Sequence, residues 1–207
     1  MKAFIYTGGV ICPENITEHP KGDDLIIAAD GGLLNASALG VRPDILLGDL
    51  DSLKDKEIPK DAEVLRVPSE KDFTDTQLAV DTAVKKGASE VVIVGGLDGR
   101  LDHTLSNLAI LEDLWGKRIH AHITNGQNRV RYINSTSTLI PRSGFRYLSI
   151  LCLSEKVKGV SIEGCKYPLK NVTLNRSFQY AVSNEIEGNC ALVSVRRGGV
   201  YIIESKD

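Results

Sequence analysis

The sequence predicts a two-domain chain: an N-terminal three-layer α/β domain with a mostly parallel sheet, followed by an all-β domain. Over the first 125 or so of the 207 residues, short β-prone runs alternate with helical patterns, which is typical of a parallel sheet covered by helices. After about Asn125 the pattern changes to closely spaced β-prone runs and turns, which favours a sandwich or a barrel. The length suits one or two domains, each able to bury a core.

In the first domain, six strands and three helices are predicted. The strands fall at residues 2–6, 24–29, 45–47, 63–67, 90–94 and 119–123, and the helices at 32–39, 75–86 and 103–115. The second helix ends in Lys85-Lys86-Gly87, where cations and a glycine favour termination. Its apolar stripe comprises Leu78, Ala79, Thr82 and Ala83. The residues of the third helix predicted to face inward are Leu105, Leu108, Ala109 and Leu111.

The second domain is predicted to contain only short strands. They fall at residues 130–133, 137–140, 147–153, 159–162, 181–183, 191–195 and 200–203. The boundary is expected between Thr124 and Ile133, which gives domains of residues 1–127 and 128–207.

Composition indicates an ordinary globular protein. The net charge is −2, with 42% hydrophobic and 25% charged residues. The sequence has no long basic stretch, which argues against a nucleic-acid-binding protein. No apolar run approaches the roughly 20 residues of a membrane helix, and the start of the chain lacks a signal-peptide pattern. The four cysteines are scattered without metal-binding spacing, which favours reduced thiols in the cytoplasm.

Acidic residues recur where apolar runs end. Asp49 and Asp51 follow the run at 45–47, and Asp30 with Gly31 follows the run at 25–29. Carboxylates spaced this way suit a hard cation such as Mg²⁺, which also keeps waters and substrate phosphates as ligands. Taken alone, the pair Asp49 and Asp51 is better explained as a solvated turn, since Asp and Ser are ordinary turn residues. Because ligands of open α/β sheets bind at the carboxyl ends of the strands, the repetition favours a metal-bridged polyanion.

Asp72-Phe73-Thr74-Asp75 lies at the start of the second predicted helix. Either Thr74 or Asp72 can be the N-cap, and an acidic residue there favours the helix dipole. Capping needs a single acceptor, whereas this segment also carries Lys71 and two aspartates. A structural role and a ligand-binding role therefore both stay open.

Residues 95–107 are the most specific segment. Gly95-Gly96 after a β-prone run allows a sharp turn and a close approach to a ligand. Arg100 can bind phosphate oxygens through two hydrogen bonds, and Asp102 stands beside His103 at a helix start that can bind an anion. The segment is neither a Walker A loop nor a dinucleotide-binding GxGxxG fingerprint.

These segments together resemble the thiamine pyrophosphokinase family, in its bacterial type. The resemblance spans nearly the whole chain in the same order. It is carried by Ala29-Asp30-Gly31-Gly32, Pro43-Asp44, Gly48-Asp49-Leu50-Asp51-Ser52, Asp72-Phe73-Thr74-Asp75, Gly95-Gly96, Gly99-Arg100-Leu101-Asp102-His103, Asn107, Gly164-Cys165-Lys166-Tyr167-Pro168-Leu169 and Val182-Ser183-Asn184-Glu185.

The resemblance implies an α/β catalytic domain, a C-terminal β-sandwich, and a homodimer whose active site lies between one subunit's catalytic domain and the other's sandwich. Such enzymes transfer a diphosphoryl group from ATP to thiamine and release AMP. Tyr167 departs from some members of the family, notably animal ones, which carry Trp at that position. Either ring can stack on a flat cationic ligand.

Roles for individual residues follow from the resemblance combined with their chemistry. Asp49, Asp51 and Asp75 are expected to hold Mg²⁺, and Arg100 to bind phosphate while Asp102 orients it or binds substrate. The residues expected around ATP are Asp30, Gly31, Lys71, Asp72, Thr74, Gly95, Gly96, Arg100, His103 and Asn107. Those expected to bind thiamine are Tyr167, Ser183 and Asn184.

Two alternatives share the acidic residues. A metal-dependent phosphohydrolase would give the phosphates of ATP to water and would not need the aromatic residue and Ser-Asn pair of the second domain. A non-catalytic sensor of thiamine diphosphate would tolerate the loss of metal carboxylates. Every acidic position of the motif set is present here.

Overall fold

The structure, a computed structural model, describes residues 1–49, 59, 61–67 and 72–207. Asp51 and Lys71, two predicted site residues, lie outside the described residues. The chain divides into two units, residues 1–126 and 127–207.

The first unit contains a parallel sheet in the order β4-β3-β2-β1-β5-β6. Its strands, as far as the described residues go, are β1 (Lys2–Tyr6), β2 (Leu25–Ala29), β3 (Ile45–Gly48), β4 (Glu63–Arg66), β5 (Glu90–Val94) and β6 (His120–Thr124). Each of the five neighbouring pairs is parallel. Residues 91–94 of β5 are fully buried, as expected for a strand covered on both faces. The predicted mostly parallel sheet is confirmed.

Three helices pack on this sheet in the described part of the unit. They are α1 (Gly32–Ala38), α2 (Asp75–Lys85) and α3 (Leu101–Gly116). The first two contact β1 and β2, while α3 contacts β6. A short 3₁₀ helix, Pro13–Asn15, lies in the long connection between β1 and β2. No helix in the described ranges is long and apolar enough to cross a membrane.

The predicted inner face of α3 is partly wrong. Leu105 is 57% exposed and Ala109 is also exposed, although Leu111 is buried as predicted. The buried residues of the helix are Asn107, Ile110, Leu111 and Leu114. Asn107 takes an inward position because its side-chain amide donates to the Gly96 carbonyl oxygen at 3.0 Å. The packed face is therefore rotated from the one that the leucines alone suggest.

The second unit is built from antiparallel strands. They are β7 (Asn128–Asn134), β8 (Ser137–Pro141), β9 (Tyr147–Cys152), β10 (Lys156–Glu163), β11 (Leu169–Asn175), β12 (Cys190–Arg197) and β13 (Gly199–Ser205). In one sheet β13 lies between β7 and β9, and the other has the order β11-β10-β12-β8. The predicted all-β sandwich is confirmed, although residues 181–183 form no strand and β11 was not predicted.

Candidate active site

A pocket of about 400 Å³ lies at the carboxyl ends of the first unit's strands. The chain proceeds from β1 to β2 and β3 on one side, whereas β5 and β6 lie on the other side of β1. The order of the strands therefore reverses at β1, and such a switch point is where open α/β sheets bind ligands. The lining residues are Thr7, Gly8, Gly9, Ala29, Asp30, Gly31, Thr74, Asp75, Thr76, Gly96, Asp98, Gly99, Arg100, His103 and Asn107.

Glycines in the loops after β1 and β5 line the pocket. Gly95 and Gly96 have φ angles of +101° and +69°, so the chain turns sharply after β5 as predicted. A Cβ on Gly95 would lie 2.8 Å from the carbonyl oxygen of Thr7, which leaves no room for a side chain. The Gly96 N–H donates to the Gly8 carbonyl oxygen at 3.2 Å, joining the two loops.

Asp30 lines the pocket at the end of β2 in a left-handed conformation, with a φ angle of +44°. Its backbone N–H donates to the carbonyl oxygen of Leu47 at 2.7 Å. A Cβ on Gly48 would lie 3.2 Å from that of Asp30, so the ends of β2 and β3 approach closely. A non-glycine residue held at positive φ in a ligand pocket is typical of a functional site.

Thr74 and Asp75 divide two roles at the start of α2. Thr74 is the N-cap, because its hydroxyl oxygen accepts the Gln77 N–H at 3.1 Å. Asp75 begins the helix and lines the pocket beside Thr74. Asp72 is exposed and is not among the lining residues. The capping role that the sequence left open thus belongs to Thr74, and the carboxylate of Asp75 is not needed for it.

Arg100 and Asp102 form a two-bond ion pair at the mouth of the pocket. The Arg100 Nε and Nη2 atoms donate to Asp102 Oδ1 and Oδ2 at 3.1 and 2.5 Å. The hydrogen bonds from Arg100 lower the pKa of Asp102, and those to Asp102 raise the pKa of Arg100. Both side chains are more than 60% exposed, at 74% and 63%, so the guanidinium can meet an anion arriving from solvent.

The N-terminal turns of α3 complete this side of the pocket. His103 is exposed, lines the pocket and donates its backbone N–H to Asp102 Oδ1 at 3.0 Å. Asn107, one turn further along, is buried and holds the glycine loop through the Gly96 carbonyl oxygen. The pocket therefore combines carboxylates, one guanidinium and backbone N–H groups.

Of the three predicted metal ligands, the structure describes Asp49 and Asp75 but not Asp51. Asp49 follows β3 and is half-buried, whereas Asp75 lines the pocket. Within the described ranges, no group of three His, Cys, Asp or Glu residues is close enough to hold a metal ion. The donor chemistry still fits Mg²⁺, since two carboxylate residues, Asp30 and Asp75, line one cavity.

In the second unit, the predicted thiamine residues lie on two connections, Tyr167 between β10 and β11, and Ser183 with Asn184 between β11 and β12. The Tyr167 side chain is 59% exposed, and the Lys166 ammonium lies 5.6 Å from its ring centroid. Asn184 is buried; its Oδ1 accepts the Tyr167 N–H at 3.0 Å, and its Nδ2 donates to the Tyr167 carbonyl oxygen at 2.8 Å. Ser183 is exposed, with a φ angle of +55°. Asn184 therefore holds the backbone that presents the Tyr167 ring.

Sequence reasoning missed two residues that shape the pocket, Asn35 and Asp98. The buried Asn35 amide donates to the carbonyl oxygens of Thr7 and Gly9, at 2.7 and 3.0 Å. Asp98 accepts the Val10 N–H at 2.9 Å from the facing loop. These bonds join elements distant in sequence, so no local spacing predicts them. The one available signal was Asp98 itself, an additional carboxylate within the motif at residues 95–103.

The fold and the pocket place the chain among α/β proteins that bind a ligand at the switch point of a parallel sheet. The model of the thiamin pyrophosphokinase catalytic domain matches residues 17–123, and the model of the same family's vitamin B1 binding domain matches residues 136–200. The chain belongs to the thiamin pyrophosphokinase family.

Relatives and solved structures agree with this assignment. The thiamine pyrophosphokinase of Bacillus subtilis is 30% identical over 198 residues, which cover 93% of this chain and 92% of that protein. Thiamin pyrophosphokinase 1 of Caenorhabditis elegans is 25% identical over 190 residues, 86% of this chain and 78% of that protein. The crystal structure of the Bacillus subtilis enzyme superimposes with a TM-score of 0.90 at 27% identity, covering 100% of both chains. That of the Geobacillus thermodenitrificans enzyme gives 0.86 at 27% identity, covering 100% of this chain and 98% of that one.

Proposed function

We propose that this chain is a thiamine diphosphokinase, which transfers a diphosphoryl group from ATP to the hydroxyethyl oxygen of thiamine. The thiamine oxygen bonds to the β-phosphorus, the bond from that phosphorus to the α–β bridging oxygen breaks, and AMP leaves with the bridging oxygen. The observation that carries this proposal is the match of two family models, catalytic and vitamin B1 binding, one within each unit.

The pocket of the first unit is the proposed site of the ATP phosphates. The turns at Gly31 and Gly95-Gly96 allow close backbone approach, and Arg100 offers a planar guanidinium for two hydrogen bonds to phosphate oxygens. His103 and Asn107 line the same wall at the start of α3. The residues of this pocket bind and orient the phosphates in line with the attacking oxygen, which is most of what phosphoryl transfer requires.

Mg²⁺ is the proposed metal, held by Asp49 and Asp75 together with Asp51. When bound, it would neutralise charge on the phosphates and polarise the phosphorus. The thiamine hydroxyl must lose a proton as its oxygen bonds to phosphorus, and a pocket carboxylate is the proposed acceptor. Asp30 and Asp75 both line the cavity and present the oxygen atoms for this step.

Thiamine is proposed to bind at Tyr167 and Ser183 of the second unit. The exposed Tyr167 ring offers a face for a flat cationic heterocycle, and Ser183 supplies a polar contact beside it. Asn184 supports Tyr167, because its side-chain amide makes hydrogen bonds to the backbone N–H and carbonyl oxygen of Tyr167. Its Oδ1 also accepts the Glu185 N–H at 2.9 Å.

A homodimer is proposed as the working form, with each active site shared between the catalytic unit of one subunit and the β unit of the other. Aromatic and aliphatic side chains exposed near Tyr167 in sequence support a covering partner. Phe178, Tyr180 and Val182 are 68%, 42% and 44% exposed, and the first two rings lie 5.7 Å apart. The four cysteines are free, which accords with a proposed place in the reducing cytoplasm.

The deciding assay supplies purified protein with ATP, Mg²⁺ and thiamine, and follows the products by chromatography. AMP and thiamine diphosphate in equal amounts are expected. ADP and phosphate formed without thiamine diphosphate would instead support a phosphohydrolase. Binding of thiamine diphosphate without any turnover would support a sensor. Omission of thiamine is the control, and it should stop AMP release.

A further inference from the structure

We infer that Asp98 is a positioning residue that sets the direction of Arg100. This inference rests on the proposed function, in which Arg100 binds the phosphates of ATP. Asp98 lies in the loop between β5 and α3, on the pocket lining, and two residues before Arg100. Its carboxylate is directed across the loop rather than along it.

The carboxylate of Asp98 joins the loop after β5 to the loop after β1. Oδ2 accepts the Val10 N–H at 2.9 Å. Oδ1 is packed against Gly9 so closely that a Cβ on that glycine would overlap it. Gly9 has a φ angle of +101°, which also favours glycine there. The position of Asp98 is therefore fixed by a hydrogen bond on one oxygen and by steric contact on the other.

The Asp98 Oδ1 atom is buried and has no hydrogen-bond donor among the described residues. Burying a polar atom without a partner is unfavourable, and more so when the group is charged. An arrangement with this cost persists only where neighbouring contacts enforce it. Here the neighbouring contacts are the Val10 hydrogen bond and those of the Asn35 amide to Thr7 and Gly9.

Arg100 follows this anchor in the chain and is the N-cap of α3. Its guanidinium is 74% exposed and pairs with Asp102, two residues along the same segment. Gly99, between the anchor and Arg100, has a φ angle of +74° and open space around the position of a Cβ. A loop that is held at Asp98 has one conformation at Gly99, whereas a released loop has several. Arg100, where this loop meets α3, would then be displaced relative to the pocket.

The test is a double-mutant cycle between Asp98→Ala and Arg100→Ala, measured in turnover and in binding. Asp98→Ala is expected to lower kcat on the order of tenfold, since small displacements of a binding group are costly. In the Arg100→Ala background, Asp98→Ala should lower kcat less than about twofold. The effects of substituting two residues are not additive when one residue acts through the other. Asp98→Asn keeps an acceptor for Val10 and should retain more activity than Asp98→Ala.

The same cycle is repeated by calorimetry with α,β-methylene-ATP, which binds without turnover. Asp113→Ala, at the far end of α3, is the matched control and should leave kcat and binding unchanged. Additive effects of the two substitutions, or an Asn variant as impaired as the Ala variant, would overturn the positioning role. If the wild-type chain is inactive but binds the analogue, and the effects of the two substitutions on that binding are not additive, only the proposed function is refuted. A wild-type chain that neither turns over nor binds the analogue overturns both.

Discussion

At the scale of single residues, the start of α2 separates a structural role from a chemical one. Thr74 caps the helix through its hydroxyl, and Asp75 presents a carboxylate to the pocket. Neighbouring positions with the same polar character thus have different consequences when they are changed. Replacing the threonine removes a cap, whereas replacing the aspartate leaves the cap in place and removes a charge.

We expect Asp75→Asn to keep the fold and to lower kcat by about a hundredfold or more. Metal-ion and electrostatic stabilisation of a phosphoryl transition state is worth several kcal/mol, and each 1.4 kcal/mol is about tenfold in rate. Steady-state kinetics and thermal unfolding of the variant check both parts. Asp81→Asn is the matched control, because Asp81 lies on the same helix outside the pocket and bonds Gln77. Near-normal turnover of Asp75→Asn at saturating Mg²⁺ would refute its metal role.

The sequence predicted the functional residues that stand in recognisable local patterns. It missed those whose role depends on contacts between distant parts of the chain. Asp30, Asp75 and Arg100 were predicted because they follow β-prone runs or begin a helix, and the structure brings them to one pocket. Asn35 was missed because its partners, Thr7 and Gly9, are 26 or more residues away. A polar side chain within a helical pattern gives no sign that its amide supports another loop.

At the scale of elements, α1 packs so closely against β1 that Gly32, the first residue of α1, has no room for a side chain. A Cβ on Gly32 would overlap the carbonyl oxygen of Tyr6, a backbone atom that cannot rotate away. This close contact brings the start of α1 beside the loop after β1. The glycine that follows Asp30-Gly31 in the motif is therefore needed for packing.

We expect Gly32→Ala to lower the free energy of unfolding by about 1–3 kcal/mol, through overpacking against the backbone. Denaturant unfolding measures the change. Gly116→Ala is the control, since Gly116 ends α3 with no atom near a Cβ, and alanine there should stabilise by up to about 1 kcal/mol. Equal effects of the two substitutions would contradict this account of the close approach.

Most element positions were predictable, and the errors have physical causes. The strand predicted at 181–183 fails because Ser183 adopts a left-handed φ angle of +55°. Only one of the seven residues of the missed strand β11 is buried, and its Asn171 has a φ angle of +53°, so no regular apolar alternation marks the strand. Such edge strands are formed by pairing with a neighbour, here β10, which the sequence alone does not reveal.

At the scale of the whole first unit, Glu18 ties the long β1–β2 connection to the sheet. Its carboxylate pairs with His122 of β6 at 3.2 Å and with Lys2 of β1 at 2.5 Å. The hydrogen bonds from His122 and then Lys2 lower the pKa of Glu18 from 4.5 to about 2, although burial opposes the shift. Ile16 nearby is buried in the core with Phe4.

We expect acid to weaken this attachment. A carboxyl group with a lowered pKa in the folded state contributes stability above about pH 4.5, and the contribution is lost as the pH falls toward 2. Unfolding free energies of wild type and Glu18→Gln should therefore differ most near neutral pH and converge in acid. Glu14→Gln, on the same connection, serves as the control. A constant difference between wild type and Glu18→Gln over this range would contradict the assignment.

At the scale of the proposed dimer, inactive chains should complement one another. Asp75→Asn impairs the catalytic unit and Tyr167→Ala impairs the β unit, so one site of each mixed dimer would be wholly wild-type. Partial activity is expected once differently tagged chains have exchanged subunits, as checked by pull-down. Exchange without recovered activity would show that each site lies within one chain.

The central position of β13 determines when the second unit can form. This strand pairs with β7 on one side and β9 on the other, yet it is synthesised after both of them. On the ribosome, β7 and β9 emerge before β13. The edges of both strands that will pair with β13 therefore stay unpaired until residues 199–205 have left the exit tunnel. The parallel sheet of residues 1–126 needs no such late segment, so the two halves of the protein can mature one after the other.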